Sequence, residues 1–85
     1  MYRGSGDFMN QIRVIFDSIQ EIEQFVRITT CLQGDVSVAA GDQLLDGKAI
    51  LGLLSLGLHR PLQVRYSGGD EEFAVFAERI AAYCV

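Results

Sequence analysis

In the first third of the chain the hydrophobic pattern changes period, and the change falls on one serine. Ile12, Val14 and Phe16 alternate with Gln11, Arg13 and Ile15, the two-residue repeat of a strand with a buried face. After Ser18 the repeat is helical: Ile22, Phe25, Val26 and Thr29 fall on one stripe, with Glu21, Gln24 and Arg27 outside it. Ser18-Ile19-Gln20-Glu21 has the S-x-x-E spacing, in which the serine oxygen caps one free amide and the glutamate reaches back to another. Leu32-Gln33-Gly34 closes the helix near Cys31, the glycine being suited to the left-handed conformation of a helix stop. A strand that hands over to a helix so abruptly restricts the chain to mixed architectures.

The remaining residues extend this order. Val36 and Val38 alternate with Asp35 and Ser37, and Ala39-Ala40-Gly41-Asp42 turns the chain into Gln43-Leu44-Leu45, which predicts a hairpin. Lys48 to Leu56 is leucine-rich and bounded by Gly57 and Pro61, a helix of two turns. Leu62, Val64 and Tyr66 alternate with Gln63 and Arg65 in a last strand that starts at Pro61, where a missing amide hydrogen is tolerated. Asp70, Glu71 and Glu72 then place negative charge at the positive end of a helix whose stripe is Phe73, Phe76, Ala77 and Ile80. The order βαββαβα predicts an α+β sandwich of two layers: a four-stranded, mostly antiparallel sheet with three helices on one face and the other face wet. With 85 residues there is room for one domain, residues 9–85, after an aperiodic tail at 1–8 that carries two glycines; Met1 and Met9 are both candidate starts.

Charge and motif content remove several function classes. Eleven acidic residues against seven basic give a formal charge of -4, and the basic residues are scattered, so nucleic-acid binding is not expected. No apolar run is long enough to span a bilayer and no basic-then-apolar leader opens the chain, which predicts a cytoplasmic protein without membrane insertion. Cys31 and Cys84 lack metal-ligand or redox spacing and are read as free thiols. The sequence holds no phosphate-binding glycine motif and no His, Cys and carboxylate cluster, so neither a cofactor nor a metal is expected. Asp70, Glu71 and Glu72, being consecutive, point different ways and suit a helix terminus better than an acid/base pair.

The segment Lys48-Ala49-Ile50-Leu51-Gly52-Leu53-Leu54-Ser55-Leu56-Gly57-Leu58 resembles the K-S-I-M-G-V-M-S-L-G segment of HPr, the histidine-containing phosphocarrier family of the bacterial sugar phosphotransferase system. The helix from Ser18 to Cys31 and the Asp35-Val36-Ser37-Val38 strand align with that family without a gap, so the resemblance covers residues 9–85 and implies an HPr-like open-faced sandwich. The family carries its phosphoryl group on a histidine within G-[I/L]-H-A-R-P-A, and that position here is Ser18, with Gln20 and Glu21 where the family has arginine and proline. An imidazole nitrogen is nucleophilic near neutral pH and gives a phosphoramidate that passes its phosphoryl group onward, whereas a serine ester is inert. Glu21 also adds negative charge beside a helix terminus that would otherwise attract an anion. The serine that a kinase phosphorylates in many HPr proteins from Gram-positive bacteria is replaced by Ala49. The related catabolite-repression proteins lack the histidine but keep that serine, so the chain departs from both patterns.

The resemblance implies no catalytic residue and places protein contacts at Gln20, Lys48, Ile50, Leu51 and Leu54. Six apolar residues between Ile50 and Leu58 are too many for one side of two turns, so part of the set should reach solvent unless a partner covers it. His59, the sole histidine, is aligned in the loop that borders the family's phosphorylation pocket; spacing shows no carboxylate or arginine positioned to assist it as a relocated acceptor. The expected function is a non-enzymatic protein-interaction or regulatory module related to the phosphotransferase system, with phosphotransferase-system or regulatory proteins as partners. The competing readings are a phosphocarrier with an unconventional acceptor and a domain that works by homo-oligomeric assembly.

Overall fold

A computed structural model describes residues 10–84. The tail at 1–8 and both candidate starts lie outside them. Seven elements follow in the expected order: β1 (Asn10–Val14), α1 (Ile19–Thr30), β2 (Asp35–Ala40), β3 (Gln43–Asp46), α2 (Ile50–Leu56), β4 (Leu62–Ser67) and α3 (Asp70–Arg79), with a closing 3-10 turn at Ala81–Tyr83. The sheet order is β1-β4-β2-β3 and each of its three pairings is antiparallel.

Alternation decides what the sheet buries. Val36, Val38 and Ala40 of β2 and Leu62, Val64 and Tyr66 of β4 all point into the helix layer, while Ser37, Gln63 and Arg65 stay on the other face. From the helices, Ile22, Phe25, Leu53, Leu56, Phe76 and Ile80 meet them. Aromatic rings join the layers: Phe76 of α3 lies 6.1 Å from Tyr66 of β4 between ring centres, and Phe25 of α1 lies 6.1 Å from Phe76. Thr29, the one buried polar side chain among the described residues, points its hydroxyl at the Gly47 carbonyl, 2.8 Å away, and so ties α1 to the end of the β2–β3 hairpin.

α2 starts at Ile50, not Lys48, and β4 at Leu62, not Pro61, and three further boundaries differ from the expectation. β1 ends at Val14, not Phe16, because its partner β4 begins at Leu62 and the preceding Pro61 has no amide hydrogen with which to extend the ladder. Beyond Val14 the chain turns to the C-terminal segment instead: the Ile15 amide donates to the Tyr83 carbonyl at 2.9 Å and Val14 bridges to Cys84. The last helix stops at Arg79 and tightens into the 3-10 turn. The third difference concerns Gly34, which does not stop α1; Cys31 ends that helix in an ordinary right-handed conformation. Gly34 is needed for close approach, since a Cβ there would meet the Tyr66 ring at 2.5–2.6 Å.

Candidate functional site

The antiparallel pairing of β1 with β4 matches Val14 to Leu62, so the loops after β1 and before β4 leave the sheet at the same end. One carries Asp17 and Ser18 into α1, and the other carries His59 out of α2. Ser18 is the N-cap: its backbone is extended and its Oγ accepts the Glu21 amide hydrogen at 3.3 Å. The Glu21 carboxylate reaches back to the Asp17 amide at 2.8 Å, completing a capping box one residue further out than usual. The seryl oxygen and the glutamate are both occupied in starting the helix.

His59 is half a step from this cap. Its backbone amide donates to the Phe16 carbonyl at 2.8 Å, its φ is +63°, and its Nδ1 lies 3.2 Å from Asp17 Oδ1. The sequence showed no carboxylate in reach of His59, and the structure corrects this: the two residues are 42 positions apart and only the β1–β4 pairing brings them together. Asp17 lies against Nδ1, and the imidazole as a whole stays open to solvent, the side chain being 68% exposed.

α2 presents the apolar residues unevenly. Leu53 and Leu56 belong to the core; Ile50, Leu54 and Leu58 are partly covered and packed against it; Leu51 is 79% exposed. Ala49 is the N-cap of α2, with an extended backbone and no side-chain oxygen to offer the first turn. Gln20 is exposed in the first turn of α1. Lys48 sits at the other end of that helix, donating from Nζ to the Leu32 carbonyl at 3.2 Å. Gln20 and Lys48 thus stand toward opposite ends of α1, which is about 18 Å long, so the five expected contact residues are not one compact patch.

No protein-family model matches the chain, and no curated protein does. Solved structures do. HPr-C-His from Thermoanaerobacter tengcongensis superposes with a TM-score of 0.70 at 17% identity, covering 87% of this chain and 93% of that one. The phosphocarrier protein HPr from Bacillus anthracis gives 0.69 at 24% identity over 91% and 98% of the two chains. A Mycoplasma histidine-containing phosphocarrier protein gives 0.68 at 7% identity over 86% and 93%. The chain has the HPr-like fold.

On that fold, one polar constellation stands at the end of the sheet away from Ser18. The Glu72 carboxylate accepts the amide hydrogens of Gln33 and Gly34, at 3.0 and 3.1 Å, and the Tyr66 hydroxyl. The Tyr66 hydrogen bond and the two amides hold the Glu72 carboxyl below its ordinary range. Burial, reinforced by Glu72, pushes the Tyr66 phenol up to about 12. Sequence spacing placed Glu72 at a helix terminus but gave no sign that it also clamps the loop after α1. The nearest signal was the pair of glycines flanking the Tyr66 ring, Gly34 and Gly68, where a Cβ would collide with that ring. Among the described residues no three His, Cys, Asp or Glu side chains converge as a metal site, and no helix is long and apolar enough to cross a membrane.

Proposed function

We propose that this HPr-like chain is a docking module related to the bacterial phosphotransferase system, which binds a protein partner through the α2 side without relaying a phosphoryl group. The observation that carries this reading is Leu51, a large apolar side chain 79% exposed on α2 with Ile50 and Leu54 partly covered beside it. Its counterpart is chemical: Ser18 uses its oxygen as a helix cap, and Ala49 has no hydroxyl to phosphorylate. The test is to mix the purified protein with phosphoenolpyruvate and the first enzyme of the phosphotransferase system. The expected result is no label on the chain, together with a saturable perturbation of α2 amides in NMR spectra that Leu51→Asp removes. An acid-labile phosphate on the chain would overturn the reading.

The second reading, a phosphocarrier with an unconventional acceptor, is favoured by the Asp17–His59 contact, which lies at one ring nitrogen of a side chain that stays open to solvent. It requires label that disappears in His59→Ala and persists in Ser18→Ala.

A further inference from the structure

Between α1 and α3 runs an open groove of about 890 Å³ that no residue of α2 lines. Ile28 and Leu32 line it from α1 and Val75 from α3, the last 51% exposed although apolar. Arg27 and Arg79 also line it, each in the last turn of its helix. Among the described residues neither arginine has a carboxylate within ion-pair distance. The groove also carries Glu71 and Glu72, and neither forms an ion pair with an arginine. Glu72 already serves two amides and the Tyr66 hydroxyl, and Glu71 lies eight residues, about 12 Å along α3, from Arg79.

We infer that this groove binds a small amphipathic carboxylate, its apolar chain over Ile28, Leu32 and Val75 and its carboxylate between Arg27 and Arg79. Three observations favour that class. The volume falls in the range of small-molecule sites, about 300–1,000 Å³. α3 is ten residues, about 15 Å, which is short for the roughly 800 Å² per side of a standard protein interface. Two guanidinium groups without ion-pair partners among the described residues present donors matched to a carboxylate. The site is independent of the α2 docking side.

The probe is decanoate below its micellar concentration, followed by amide chemical shifts in the whole chain, with decyltrimethylammonium as the control of opposite charge. Decanoate should give saturable shifts confined to residues 24–32 and 71–79, and the cation none. Arg27→Gln with Arg79→Gln should raise the Kd at least tenfold while leaving the thermal midpoint in place. Val75→Asp, an exposed-position change that sets a like charge on the groove floor, should do the same. Absence of saturation, equal binding of the cation, shifts centred on residues 50–58, or unchanged affinity in the variants would each overturn the inference.

Discussion

Nδ1 of His59 stands 3.2 Å from Oδ1 of Asp17, and this contact links the entry of α1 to the exit of α2 across the end of the sheet. Both side chains are about two-thirds exposed, at 68% and 69%, so the contact orients the imidazole more than it holds the fold. Asp17→Asn is therefore expected to change unfolding free energy by less than ~1 kcal/mol in urea titrations. His59→Gly should be neutral or stabilise by up to ~1 kcal/mol, because glycine adopts the φ of +63° without the Cβ penalty that histidine carries there.

The leucines of α2 should separate by exposure. Leu51→Ser is expected to cost under ~0.5 kcal/mol, as for other exposed positions. Leu53→Ala, fully buried, should cost ~2–5 kcal/mol. Leu54→Ser should fall between them, since Leu54 is partly covered and packed on the core. Chemical denaturation of the three variants decides the order, and a loss at Leu51 as large as that at Leu53 would contradict the exposure of α2.

Ala49 begins α2 without a side-chain cap. Ala49→Ser supplies the missing oxygen at a position whose backbone is already extended, and the expected gain is ~1 kcal/mol. Thermal unfolding should show a raised midpoint.

Glu72 and Tyr66 give stability a pH dependence at both extremes. The carboxyl has a lower pKa folded than its ordinary 4.5, so the unfolded chain binds more protons in acid; stability from this group is complete above 4.5 and is lost as pH falls through the folded value. The phenol is raised from 10.0 to about 12, so its contribution is complete below 10 and is lost as pH rises toward 12. Glu72→Gln should flatten the acid limb of a stability–pH curve. It should leave most of the alkaline limb, because burial is the larger cause of the Tyr66 shift.

The element order and core were readable because each buried stripe keeps one period within one short segment: Val36 and Val38, Leu62 to Tyr66, Ile22 and Phe25. Ser18 was readable for the same reason, since a capping box spans four residues. What escaped depends on register between distant segments. The Asp17–His59 contact and the grip of Glu72 on Gln33 and Gly34 join residues 42 and about 39 positions apart, and neither leaves a local trace. The end of β1 was missed because alternation continues through Phe16, whereas the regular pairing with β4 stops at Leu62, beside Pro61, which has no amide hydrogen.

The capping box at Ser18 makes the start of α1 a joint device of two side chains. An imidazole placed there would sacrifice the oxygen that receives the Glu21 amide, and would leave a carboxylate at Glu21 anchored to the Asp17 backbone beside any incoming phosphate. Ser18→His would therefore meet both a weaker helix start and a like charge, and a compensating change at Glu21 would have to accompany it.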